Sequence, residues 1–246
     1  KIVLSVGTEL SAFMLDILPG NSTAERLSAQ NWELLRSGEH NGQLNDHLNR
    51  MVSTVREHYH GQVTYAALAE LEQVDWGQFD IVGIDLYRGK RNRAVYPRVV
   101  KHYNAYGKPV VITEFGCCTF RGAEDMGGTG FTIIDWGGQK WPPEQPPRLK
   151  GSFVYDQDLQ ARELADQLRV ISATGIEGAF VFEFVQYGPG RDAGINDLIK
   201  SLPFDPDIAN YTLVKLLFEG YGTAYPDMTW EPKEAFRAVA DFYAAH

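Results

Sequence analysis

The chain has 246 residues, 44% of them apolar and 22% charged, which suits a globular protein with a sizeable core. No stretch approaches the roughly 18 apolar residues that a membrane-crossing helix needs, and a formal charge of −9 argues against nucleic acid or an anionic membrane as partner. The two cysteines, Cys117 and Cys118, are adjacent, so no disulfide framework is expected and the compartment stays open.

Lys1-Ile2-Val3-Leu4-Ser5-Val6-Gly7 reads as a strand already under way, with no signal peptide ahead of it. The expectation is a soluble chain that either begins within a domain or is a short version of its fold. After a Pro19-Gly20-Asn21 linker, a helix is predicted from about Ser22 to Ser37, with Leu27, Trp32, Leu34 and Leu35 as its apolar side. A second runs from about Asn45 to Tyr59, where Leu48, Met51, Val52 and Val55 recur at spacings of three and four. Val63–Ala67 and Phe79–Tyr87 read as strands. A basic loop and a helix from about Val95 to Tyr106 follow, ended by Gly107.

Four apolar or β-branched residues then run into a carboxylate and a glycine, in Val110-Val111-Ile112-Thr113-Glu114-Phe115-Gly116. Residues 116–155 form a long insertion without strong periodicity. Tyr155–Thr174 is an amphipathic helix with Leu159, Leu164, Leu168 and Ile171 inward, and Gly178–Val185 is the last strand. An irregular region leads to helices near Ile208–Glu219 and Lys233–Ala245. Strand followed by helix, with near-continuous apolar strands, predicts an α/β fold whose parallel sheet is covered by helices, within a single domain over residues 1–246.

The chemistry gathers at strand ends. Strict alternation puts Ser5, Gly7 and Glu9 on one face, Gly83, Asp85 and Tyr87 on another, and Val110, Ile112 and Glu114 on a third. A carboxylate at the carboxyl end of a parallel strand stands where barrel enzymes keep catalytic groups, although a glutamate there also serves as a plain loop cap. Two carboxylates in one barrel mouth are what glycoside cleavage requires, one to protonate the leaving oxygen and one to attack.

Val6-Gly7-Thr8-Glu9-Leu10 resembles the fourth-strand acid/base motif of retaining glycoside hydrolases of clan A, and Val111-Ile112-Thr113-Glu114-Phe115-Gly116 resembles their seventh-strand nucleophile motif. Asp80–Tyr87 is similar to their sixth strand and Gly178–Glu183 to their eighth, with Phe182 where many members place a tryptophan platform. The nearest branches are the endo-β-mannanases and endo-β-galactanases. The resemblance implies a (β/α)8 TIM-type barrel of which this chain supplies strands four to eight, the first three βα units being absent, with residues 116–155 inserted after strand seven. It implies a retaining glycosidase with Glu114 as nucleophile, Glu9 as acid/base and Tyr87 orienting Glu114. Thr8 and Phe182 stand at implied substrate-binding positions, and the implied substrate is an oligo- or polysaccharide cleaved without metal or organic cofactor. Read from the residues themselves, Trp136 and Trp141 offer aromatic faces for sugar stacking or for packing the insertion onto the barrel, Glu183 is a third carboxylate near the mouth that can contact substrate, and Asp85 is a substrate-side partner or a structural hydrogen-bonder.

At the position before the acid/base, Thr8 stands where the family has asparagine, whose amide contacts the sugar 2-hydroxyl. A narrower similarity, in residues 114–123 and 225–233, is to bacterial barrel proteins often labelled phage abortive-infection proteins. It supports an alternative, a glycosidase-like barrel that binds carbohydrate or protein without cleaving it. Other signals are weaker. His58-Tyr59-His60 has a metal-like spacing at a helix end, where residues two apart do not share a face. Gly127-Gly128-Thr129-Gly130 lacks the lysine of a phosphate loop and reads as a flexible lid. Cys117 and Cys118 read as small thiols packing the barrel rim.

Overall fold

The computed structural model of the protein describes residues 2–14, 17–21, 23–26, 28–137, 143, 145–186 and 193–245. In chain order the elements are β1 (Val3–Thr8), α1 (Leu10–Phe13), α2 (Thr23–Arg26), α3 (Ala29–Ser37), α4 (Asn41–Arg56), β2 (Gln62–Leu68), β3 (Val82–Asp85), α5 (Tyr96–His102) and β4 (Val110–Phe115). They continue with α6 (Ala123–Met126), β5 (Ile134–Asp135), β6 (Arg148–Leu149), α7 (Gln157–Ser172), β7 (Gly178–Val181), α8 (Ala193–Ser201), β8 (Val214–Leu216), β9 (Trp230–Pro232) and α9 (Glu234–Ala245).

The expected α/β organisation is present. One five-stranded sheet has the order β1-β2-β3-β4-β7, and β1 to β4 pair parallel. Against β4, the backbone bonds Glu177 N to Val110 O and Phe182 N to Phe115 O keep one offset, so β7 is parallel too. Residues 63–67 of β2 and all of β3 are buried, as strands covered on both faces must be. Gly83 is required in β3, since a Cβ there would lie 2.4 Å from the Tyr65 carbonyl oxygen.

The chain divides into two compact units. The first comprises residues 1–86, 98–114 and 174–179. In it α4 packs through Leu44, Leu48 and Val52, spaced by one turn. The helix begins four residues before the predicted start. The predicted helix over 22–37 is two helices, because Ser28 caps α3 through the Asn31 N–H; Ser22 and Leu27 lie outside the described residues.

The second unit comprises residues 87–97, 115–173 and 180–246. Its core includes Cys117, Cys118, Phe120, Ile133, Ile208 and Tyr211. The described residues of the 116–155 segment hold regular structure that the sequence does not announce: α6, a 3-10 helix over Gly127–Ile133, and the antiparallel pair β5–β6. The predicted lid over 127–130 is part of that packed 3-10 turn. Gly127 and Gly130 are buried, and the Tyr211 hydroxyl both donates to Gly127 O at 2.6 Å and accepts from Gly130 N at 2.9 Å.

Two other expectations are corrected. The predicted helix over 208–219 is a 3-10 turn, Pro206–Ala209, capped by Asp205, followed by β8 paired antiparallel with β9. Proline at the turn's start and the β-branched Thr212 and Val214 explain the change. The region before it, read as irregular, carries α8. α7 places Gln160 and Gln167, both fully buried, against the segment that leaves β4. Gln160 donates to Cys117 O at 2.9 Å and Gln167 to Gly116 O at 3.4 Å.

Candidate active site

Glu9, Asp85 and Glu114 each direct one carboxylate oxygen to a common point, and these oxygens lie within 4.8 Å of one another. All three belong to the first unit. Two register shifts bring them there. Ser5 pairs with Thr64 and Thr8 with Ala66, so β1 advances three residues while β2 advances two. Ile84 pairs with Ile112 and Asp85 with Glu114, so β4 likewise carries one extra residue, Thr113, against β3. A bulge of this kind re-aims the side chains that follow it.

The strict alternation expected for β1 and β4 therefore fails just before each glutamate. Val110 and Ile112 stay in the core. Thr113 and Glu114 both reach Asp85, Thr113 by donating to Oδ1 at 2.6 Å and Glu114 by placing a carboxylate oxygen within 4.8 Å.

Glu9 is also held out of ordinary backbone geometry. Its φ of 44° and ψ of 42° lie in the left-handed region, which costs a side-chain-bearing residue on the order of 1 kcal/mol. The conformation is fixed on both sides. Glu9 N donates to Ala66 O at 2.9 Å, and Glu9 O accepts from Ala12 N at 2.9 Å and Phe13 N at 3.2 Å. Leu10 N donates to the Tyr65 hydroxyl at 2.7 Å.

The electrostatics separate the acids. Burial, then the negative charges of Asp85, Glu114 and Glu72, push the Glu9 carboxyl up to about 8. Burial raises Asp85 to about 6, against the opposing hydrogen bonds from Thr113 and Thr8. Glu9 thus keeps its proton at neutral pH beside Asp85, which at about 6 is mostly ionised there, so one proton donor and one anion stand at adjacent positions. Three carboxylates so placed could also approach a hard divalent cation.

Thr8 is exposed, and its hydroxyl donates to Asp85 Oδ2 at 3.0 Å. Asp85, 4% exposed, thus receives two threonine hydroxyls and serves as the hydrogen-bonded hub of the cluster.

The remaining expected site residues belong to the second unit or lie outside the described residues. The Tyr87 ring packs edge-on against Phe182 at 6.4 Å and Tyr211 at 5.3 Å. Phe182 and Glu183 are half-buried, joined by a cis peptide, and burial raises the Glu183 carboxyl. Trp136 is 41% exposed. Trp141 lies outside the described residues.

Both cysteines are buried with their thiols pushed up by burial, Cys118 to about 12, as core groups are. His58 stands exposed, 3.9 Å from Glu57.

Sequence patterning does not single out Glu72. It is 6% exposed and accepts from Ser11 N, the Ser11 hydroxyl, Leu68 N and the Tyr65 hydroxyl. Its stretch, Leu68-Ala69-Glu70-Leu71-Glu72-Gln73-Val74, holds two acids, and nothing in the letters separates Glu72 from Glu70.

Residues 32–149 match the model of Glycoside Hydrolase Family 113, a span that includes Asp85 and Glu114 but not Glu9. No curated protein matches the sequence. Among solved structures, a family 113 β-1,4-mannanase in a complex is similar at a TM-score of 0.53 and 14% identity, covering 84% of this chain and 53% of that one. A second family 113 β-1,4-mannanase structure gives 0.52 and 14%, covering 83% and 52%. A family 2 β-galacturonidase from Eisenbergiella tayi gives 0.49 and 15%, covering 82% and 30%. The chain spans about half the length of the mannanases it matches. It resembles the clan A glycoside hydrolases, in sequence through family 113 and in fold through the mannanases.

Proposed function

We propose that this chain carries the catalytic carboxylates of a retaining glycoside hydrolase. Glu114 attacks the anomeric carbon to form a glycosyl-enzyme intermediate, while Glu9 first donates a proton to the leaving oxygen and then takes one from water. The observation that carries this reading is the approach of the Glu9 and Glu114 oxygens to within 4.8 Å, with Glu9 pushed up to about 8. Retaining enzymes hold their two carboxyl groups about 5–5.5 Å apart, whereas inverting enzymes need about 6.5–9.5 Å to seat a water.

The five parallel strands are those numbered four to eight in a (β/α)8 barrel, on the strength of the motif order and the mannanase likeness. The substrate class is a β-linked oligo- or polysaccharide, the class named for the mannanases. The roles of Tyr87 and Phe182 are carried over from the resemblance, and those of Glu183, Trp136 and Trp141 rest on the carboxylate and aromatic faces they offer a sugar.

The test is turnover of β-linked aryl glycosides and β-mannan fragments by the wild type and by Glu114→Gln. Loss of turnover in the variant supports the assignment; equal turnover removes Glu114 as nucleophile. One observation favours a second reading, carbohydrate binding without cleavage: the Thr8 hydroxyl, where the family has an asparagine amide, is engaged with Asp85. Calorimetric binding of the same sugars without turnover by the wild type would select it.

A further inference from the structure

We propose that Glu72 is a positioning residue for Glu9, clamping the first turn of α1 directly behind it. The inference rests on the reading of Glu9 as the acid/base. The Glu72 carboxylate takes four donors. Ser11 N (3.1 Å) and the Ser11 hydroxyl come from α1, Leu68 N (2.9 Å) from the end of β2, and the Tyr65 hydroxyl (2.9 Å) from its middle. Tyr65 in turn accepts from Leu10 N at 2.7 Å. Leu10 N and Ser11 N, the two amides that follow Glu9, therefore both end on the Glu72–Tyr65 pair.

These are the orphan donors of a helix start, which an ordinary cap would satisfy from the residue before the helix. Glu9 stands at that position and makes no such bond. Its side chain is left free for the carboxylate cluster because Glu72 and Tyr65 satisfy the donors from the neighbouring strand.

The clamp also explains how Glu9 holds a left-handed backbone, since the amides after it have fixed destinations. Burial pushes the Glu72 pKa up to about 7, against the hydrogen bonds from Leu68 N, Ser11 N and the Tyr65 hydroxyl, which favour its charged form. Glu9 is faced by Asp85 from β3, Glu114 from β4 and Glu72 from the turn after β2. Glu72 itself is faced by Tyr65 and Asp85. Charge on Glu72 opposes ionisation of Glu9, so the clamp both aims the acid and helps keep its proton.

Two variants separate these effects. Glu72→Gln removes the charge and sets an amide against backbone donors. Tyr65→Phe keeps the Glu72 carboxyl and removes the Tyr65 hydroxyl, which both accepts from Leu10 N and donates to Glu72. Carbon-detected NMR titration of the Glu9 carboxyl needs no turnover, and kcat against pH on an aryl glycoside reads the catalytic consequence. In Glu72→Gln, Glu9 should titrate at lower pH, the alkaline limb should move with it, and kcat should fall about ten- to a hundredfold, as for a misplaced catalytic group. In Tyr65→Phe, where the Glu72 carboxyl remains, the Glu9 titration should move less than in Glu72→Gln while kcat falls and the Leu10 amide loses exchange protection.

A Glu9 titration and a kcat unchanged in Glu72→Gln overturn the proposal. If Glu72→Gln does not fold, an unchanged Leu10 amide and kcat in Tyr65→Phe overturn it. A wild type that cleaves no glycoside defeats the hydrolase reading instead, and the titration and exchange measurements still decide whether Glu72 controls Glu9.

Discussion

Thr113 donates to Asp85 at 2.6 Å, and this bond marks the extra residue in β4 that turns Glu114 toward Glu9. Replacing Thr113 by valine keeps the shape and removes the donor. Asp85 then retains Thr8 alone, its pKa rises further, and stability falls by about 1–2 kcal/mol. Denaturant unfolding at neutral pH checks this, and Thr113→Ser should recover most of the loss.

The charge on Asp85 is the largest electrostatic contribution, after burial, to the raised pKa of Glu9. Asp85→Asn should therefore move the alkaline limb of the pH–rate profile to lower pH. In the proposed first step Glu9 acts while protonated, so activity falls as pH rises through about 8 in the wild type and earlier in the variant. A limb at the same pH in both would show that Asp85 does not hold the Glu9 proton.

Glu9 also makes stability depend on pH. Its folded pKa of about 8 exceeds the ordinary 4.5, so its contribution is fully present below about pH 4.5 and is lost as pH rises through about 8. Glu9→Gln removes that dependence. The variant should match the wild type near pH 4 and exceed it near pH 9, by on the order of a few kcal/mol at most. Unfolding curves at the two pH values give the comparison, and an equal difference at both would contradict it.

In the second unit, Lys233 is 1% exposed and ion-paired to Asp207 at 3.2 Å, while its ammonium also donates to the Thr119 hydroxyl at 2.9 Å. Lys233→Met leaves Asp207 buried with, among the described residues, the Tyr155 and Thr212 hydroxyls as donors. The expected cost is about 3–5 kcal/mol, measured by chemical denaturation. A change under 1 kcal/mol would mean that the site relaxes and admits water.

Much of the sheet was legible because β2, β3 and β4 are apolar runs of strand length separated by helical periodicity. The two glutamates were legible as strand-end carboxylates. How they meet was not: alternation has period two, and nothing in the Ser5–Thr8 or Ile112–Glu114 letters announces an extra residue against the neighbouring strand. Glu72 was hidden for another reason. Its partner Ser11 is 61 residues away, and Tyr65, seven residues away, meets it only because the chain turns after β2, so only folding assembles the network. The 208–219 segment misled because its apolar residues suit a helix, while the Asp205 cap and pairing with β9 favour a turn and strand.

The central claim is that Glu114 becomes covalently glycosylated. An activated 2-deoxy-2-fluoro β-glycoside slows release of such an intermediate, and peptide mass spectrometry locates it. The account predicts a stoichiometric sugar adduct on Glu114, absent in Glu114→Gln, and a first-formed product that keeps the β configuration. An adduct on another residue, or an α product with no adduct, would contradict it.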